Sequence, residues 1–154
     1  MKIASYDIVF QEVPGEVTLA LNISQCPNHC PGCHSPHLQD DIGLPLDEKV
    51  LDGLLDRYGK DVTCVCFMGG DSEPEMVMSL ACHVHETGLK TAWYSGRQQL
   101  PECFSYDCMD YVKVGPYVEK MGPLSSPSTN QRMYRVDAGR LDDITFCFRK
   151  IIIS

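Results

Sequence analysis

The chain has 154 residues, with 21 acidic side chains against 13 basic ones and a net charge of −8. That length suits a single domain spanning 1–154, and a hydrophobic content of 44% is enough to bury a core, which excludes a disordered chain. The acidic balance argues against a nucleic-acid partner, and no run reaches the roughly 18 apolar residues of a membrane helix.

Residues 1–16 hold one lysine followed by acids and lack the apolar core of a signal peptide, so the expected location is the cytoplasm. Residues 16–24 (EVTLALNIS) are rich in β-formers and read as a strand that runs directly into a cysteine cluster at 26–33. Pro45 and Asp47 open a helix with Asp47 as its cap, Val50, Leu51, Leu54 and Leu55 as its apolar stripe, and Gly59 as its stop. Residues 61–68 (DVTCVCFM) are nearly all apolar, the pattern of a strand covered on both faces in a parallel sheet. This strand ends at Gly69-Gly70-Asp71. A second helix follows over 73–86, with Met76, Val77, Leu80, Ala81 and Val84 at helical spacing and Gly88 closing it. Strands are expected at 89–94, ending at Ser95-Gly96, and at 111–114, ending at Gly115-Pro116. Residues 98–108 have room for a short helix, 118–132 read as a long loop, and 144–153 as a last strand.

Strand, helix, strand, helix, strand is the alternation of an α/β protein with a parallel sheet. Such sheets bind ligands at the carboxyl ends of their strands. The cysteine loop, Gly69-Gly70-Asp71, Ser95-Gly96 and Gly115-Pro116 all fall there.

Nine cysteines is an odd number, so they cannot all pair internally. In a reducing compartment clustered cysteines bind metal or carry out redox chemistry. Cys26-Pro-Asn-His-Cys30-Pro-Gly-Cys33 places three thiols in eight residues. Cys30-Pro-Gly-Cys33-His34 fits the covalent haem pattern, although the missing export signal and the α/β pattern speak against it. Zinc held by the three thiols with His29 or His34 is a second reading. A plain redox loop is a third. The fourth is a [4Fe–4S] cluster on three thiolates, which leaves one iron open to a substrate. Cys64 and Cys66 alternate on a buried strand and read as core, as do Cys82 and Cys147. Cys103 and Cys108 flank a polar stretch where a second metal site would need a third ligand. His83 and His85 lie on different faces of their helix and read as solvated, while His37 could line the cluster loop.

The C-x3-C-x2-C spacing after the first strand resembles the signature of radical S-adenosylmethionine (SAM) enzymes. Gly69-Gly70-Asp71 looks like the Gly-Gly-Glu segment by which that family meets the methionine amine of SAM. Cys30-Pro-Gly-Cys33-His34, Trp93-Tyr94-Ser95-Gly96, Gly115-Pro116-Tyr117 and Thr129-Asn130-Gln131-Arg132-Met133-Tyr134 resemble the activating proteins of anaerobic (class III) ribonucleotide reductases. The resemblance implies a small, partial (open) β/α barrel with a mostly parallel sheet. It implies a [4Fe–4S] cluster on Cys26, Cys30 and Cys33, and SAM bound at Gly69, Gly70, Asp71, Ser95 and Gly96. It implies reductive cleavage of SAM and a glycyl radical formed on the large subunit of the reductase, with flavodoxin or ferredoxin as electron donor. Another glycyl-radical enzyme as partner, or a non-catalytic zinc-binding interaction module, are the alternatives. Asp71 stands where the family has Glu, so either Asp71 or Glu73 could meet the amine. A complete barrel of this kind takes roughly 200 residues or more, so 154 leave an open side through which a partner's loop could enter.

Overall fold

The apolar runs become the centre of one eight-stranded sheet in the computed structural model, which describes residues 1–33 and 35–149. The strands are β1 (Lys2–Val9), β2 (Thr18–Ile23), β3 (Leu44–Pro45), β4 (Cys64–Met68), β5 (Lys90–Tyr94), β6 (Tyr111–Val114), β7 (Arg132–Asp137) and β8 (Arg140–Asp143). They lie in the order β3-β1-β2-β4-β5-β6-β7-β8. β2, β4, β5 and β6 run parallel, joined through helix α1 (Glu48–Tyr58) and then helix α2 (Pro74–His85). The outer pairings are antiparallel on both sides. The sheet is therefore mixed, with three parallel pairings among seven, and not mostly parallel as the sequence led us to expect. The architecture is mixed α/β, with β3 and β8 as its two edges.

Register explains how the two faces of the sheet differ. Asn22, Met68, Tyr94 and Lys113 stand side by side across the four parallel strands, and so do Leu21, Phe67, Trp93 and Val112. Because side chains alternate along a strand, the second row and its equivalents face one side. There Leu19, Leu21, Val65, Phe67, Trp93 and Val112 pack under Leu51 of α1 and Val77, Leu80 and Val84 of α2. Burying each such large side chain contributes about 1.5–3 kcal/mol. The other face carries Cys64, Cys66, Ala92 and Tyr111 beneath Val13, Leu124 and Met133. Cys64 and Cys66 are core residues, as expected, on the face away from the helices.

Local chemistry sets the helix ends. The Asp47 carboxylate accepts the Val50 N–H at 2.8 Å and caps α1, and Gly59 follows its last turn. Pro74 sits in the first turn of α2, where its missing N–H costs nothing. The short helix anticipated in 98–108 is absent, and turns occupy that stretch. Residues 118–131 form the expected loop. The last strand expected at 144–153 gives way to a 3₁₀ turn over Thr145–Phe148, and 150–153 lie outside the described residues. The Asp143 carboxylate accepts the Thr145 N–H and the Thr145 hydroxyl accepts the Met133 N–H, so the chain is drawn back onto β7 instead of extending.

Cysteine pairing corrects one expectation. Cys82 of α2 is bonded to Cys108 in the stretch before β6, so neither is a separate thiol and Cys108 is no metal ligand. The other seven cysteines are free, and Cys147 is exposed on the 3₁₀ turn after β8 instead of packed in the core as expected.

Candidate metal centre

β2 ends at Ile23, and the chain then turns sharply. Gln25 has φ +61°, His29 φ +46° and Gly32 φ +74°, so the loop carrying the three thiols is coiled tightly across the strand ends. Backbone bonds anchor it: Cys26 N–H donates to Leu38 O at 2.9 Å and Gln25 N–H to Asp40 O at 3.1 Å. Cys33 N–H returns to Cys30 O at 3.1 Å, which closes a turn that brings the last two thiols to the same side. A Cβ on Gly32 would come within 3.3 Å of the Glu119 carboxylate and 3.4 Å of the Tyr117 ring, so the loop packs closely on the 117–119 segment.

Cys26, Cys30 and Cys33 line one cavity of about 200 Å³, together with Gly69, Asp71, Gly96 and the register row Asn22, Met68, Tyr94 and Lys113. The parallel strands therefore deliver the thiol loop and the turns after β4 and β5 to a single place, as the sequence implied. Gly70 and Ser95 stand behind the lining. Gly70, at φ +92°, faces α2, where a Cβ would lie 2.5 Å from Val77 Cγ2. Ser95 is buried and spends its hydroxyl on Asp71. His37 is exposed and outside the cavity, while its neighbours Leu38 and Gln39 reach it. His34 lies outside the described residues, so the Cys-Pro-Gly-Cys-His reading has no structural counterpart here. His83 is half-buried and not simply solvated. It bonds Asp52 at 2.6 Å, which holds its imidazole above the ordinary value.

Asp71 is a hub. Its carboxylate accepts the Ser95 hydroxyl at 2.6 Å, the Gly96 N–H at 2.8 Å and the Asn28 amide at 2.6 Å. Glu73 lies outside this cavity and pairs with the α-amino group of Met1 at 2.7 Å. Between these two carboxylates, only Asp71 belongs to the thiol cavity.

Sequence reasoning missed Lys113. Its side chain is buried, and Nζ donates to Ser95 O and Gly115 O, each at 3.0 Å. Burial brings its ammonium down to about 8, although the negative charge of Asp71 and the nearby Cys30 and Cys26 sulfurs opposes the shift. A lysine in a strand of β-formers (YVKV) was the available signal, since a charge on a buried strand needs a local reason. Asn28 was missed as well. Its amide reaches from Asp71 to Cys26 Sγ at 3.6 Å, and the Ser35 N–H meets Cys33 Sγ at 3.4 Å.

A larger cavity of about 510 Å³ adjoins the first and shares Cys33, Ser35, Tyr94, Lys113, Tyr117 and Gln131 with it. Pro123, Leu124 and Phe148 give it an apolar wall. Of the polar group Asn130-Gln131-Arg132, Gln131 lines both cavities, Asn130 bonds Pro116 O, and Arg132 pairs outward with Asp143.

The donor set suits a thiolate-bound cluster. Three soft sulfurs line one cavity, two of them already accept N–H bonds, and an ammonium lies nearby. These are the protein-side features that stabilise an iron–sulfur centre. Among the described residues, no three His, Cys, Asp or Glu side chains converge on a single-ion position. A cluster, whose irons are several, asks its ligands to surround it instead of meeting at a point.

A family profile described as a 4Fe-4S single cluster domain matches residues 13–133, more than three quarters of the chain. No curated protein and no solved structure matches.

Proposed function

Because the chain belongs to the 4Fe-4S single cluster domain family, and is thus an iron–sulfur protein, we propose that it is a radical SAM activating enzyme that installs a glycyl radical on the large subunit of an anaerobic ribonucleotide reductase. The observation that carries this reading is the single cavity shared by three thiols, two glycines and a buried carboxylate at the carboxyl ends of parallel strands. In this reading Cys26, Cys30 and Cys33 would hold the cluster, and SAM would bind beside it in the same cavity. When bound there, the reduced [4Fe–4S] cluster supplies the electron that splits SAM into methionine and a 5′-deoxyadenosyl radical.

The chain's own residues position and shield this chemistry. Gly69 and Gly96 line the cavity with backbone, and having no side chain they let their turns pack against the start of the thiol loop, where a Cβ would meet Ile23 O at 3.1 Å and Asn28 Nδ2 at 2.5 Å. Asp71 fixes the thiol loop to the end of β5 through Asn28, Ser95 and Gly96, and its negative charge favours an ammonium nearby. Lys113 offers positive charge to the SAM carboxylate. The larger cavity beyond Tyr94 and Tyr117 gives a glycine-bearing loop of the partner a way in, which suits a protein substrate. A low-potential donor such as flavodoxin or ferredoxin feeds the cluster, and the setting is the cytoplasm. Among the described residues no helix is long and apolar enough to cross a membrane.

The test is anaerobic reconstitution with iron and sulfide, reduction, addition of SAM, and an assay for 5′-deoxyadenosine. Product is expected from the wild type, and none from Cys26→Ala, Cys30→Ala or Cys33→Ala. A Cys33→Ala protein that cleaves SAM at the wild-type rate, or a wild type that binds one zinc and yields no product, overturns the reading.

A further inference from the structure

Asn28 sits between the first and second thiols, and its amide nitrogen has two hydrogens. One goes to Asp71 Oδ2 at 2.6 Å and the other to Cys26 Sγ at 3.6 Å. Two further features keep the amide there. Asp71 is itself fixed by the Ser95 hydroxyl and the Gly96 N–H. Gly96 leaves the space the amide occupies, since a Cβ on it would lie 2.5 Å from Asn28 Nδ2.

We propose that Asn28 is a positioning residue that sets the reduction potential of the iron–sulfur centre through its N–H bond to the Cys26 sulfur, with Asp71 and Gly96 holding its amide in register. The inference rests on Cys26 being a cluster ligand. Adding an electron makes the centre more negative, and much of that charge falls on its sulfurs. A donor aimed at a ligating sulfur stabilises the reduced form more than the oxidised one and raises the potential. The Ser35 N–H at Cys33 does the same from the backbone, whereas the Asn28 contact depends on a side chain and its support. Asp71 thereby acts on the centre indirectly: its charge fixes the donor's direction, and without it the amide would be free to turn away.

The experiment is a spectroelectrochemical titration of the reconstituted full chain without SAM, for wild type, Asn28→Leu and Gly96→Ala. Both variants should keep their iron and sulfide and lose about tenfold in the reduction equilibrium, a fall of 59 mV for a one-electron couple. Gly96→Ala alters no charge, and its φ lies outside the left-handed region, so the added methyl acts by displacing the flexible end of Asn28. An unchanged or raised midpoint in both variants overturns the proposal. Should Asn28→Leu fail to hold iron, pulsed EPR of the reduced wild type labelled with side-chain ¹⁵N asparagine decides. A ¹⁵N coupling to the centre is expected that is lost in Gly96→Ala, and its absence in the wild type overturns the proposal. Of the other two asparagines, Asn130 bonds Pro116, and Asn22 lines the cavity but donates to Ser5 and Asp7, so any coupling from it persists in Gly96→Ala and only the coupling lost there belongs to Asn28. Full iron and sulfide in Cys26→Ala would sink the ligand reading, a result distinguishable from an unmoved midpoint in the Asn28 and Gly96 variants.

Discussion

Trp93 shows how a core residue reaches the site. It is buried beneath the helices, and its indole N–H donates to Gly69 O at 2.7 Å. One side chain thus fills the core and orients the turn after β4. Trp93→Phe leaves that carbonyl without its donor and opens a small void. The expected cost is about 3 kcal/mol, from the lost bond and the unfilled space together. As this is the chain's single tryptophan, urea denaturation followed by far-ultraviolet circular dichroism is the right measurement. A loss under about 1 kcal/mol would show that the turn does not depend on the indole.

At the scale of elements, the opposite end of the parallel strands is held by Glu16. Its buried carboxylate accepts from Thr63 just before β4, from Lys90 at the start of β5 and from Tyr111 at the start of β6. Burial alone would push its carboxyl up, but these hydrogen bonds outweigh burial and hold it below the usual 4.5. The unfolded chain therefore takes up the proton first as pH falls. The stabilisation is complete above about 4.5 and is lost as pH drops through the folded value. Glu16→Gln should cost about 2 kcal/mol near neutral pH. Its urea midpoint should approach that of the wild type as the pH is lowered below 4.5, and a pH-independent gap would refute the linkage.

The elements also show what a sequence makes legible. β2, β4, β5, β6 and both helices were readable because apolar side chains fill their buried faces. The thiol loop was readable because three cysteines at short spacing have few uses. β1 was not, since Ser5 to Ile8 lie on exposed backbone and leave no period to detect. β7 and β8 form a hairpin through Ala138 and Gly139, at φ +50° and +77°, and the Ala-Gly pair is a weaker signal than Asn-Gly. Lys113 and Asn28 take their roles from neighbours distant in sequence, Ser95 and Asp71, which no local pattern reveals.

On the scale of the whole molecule, the Cys82–Cys108 link ties α2 to the stretch before β6 across 26 residues. Closing a loop of that size stabilises by about 3 kcal/mol. Cys108→Ser should lower the urea midpoint accordingly when no reductant is present, and adding a thiol reductant should bring the wild type down to the variant. Identical unfolding of the two without reductant would show that the link does not form in solution.

The antiparallel flanks have a further consequence. A sheet with free edges invites another chain to add a strand, the route to aggregation. Here β3 is two residues long and includes Pro45, which lacks the N–H such pairing needs. β8 presents Arg140, Asp142 and Asp143. β8 is thus a poor template by charge, whereas β3 covers only Lys2 and Ile3 of β1 and leaves the rest of that strand, with exposed Tyr6 and Ile8, as the margin open to another strand.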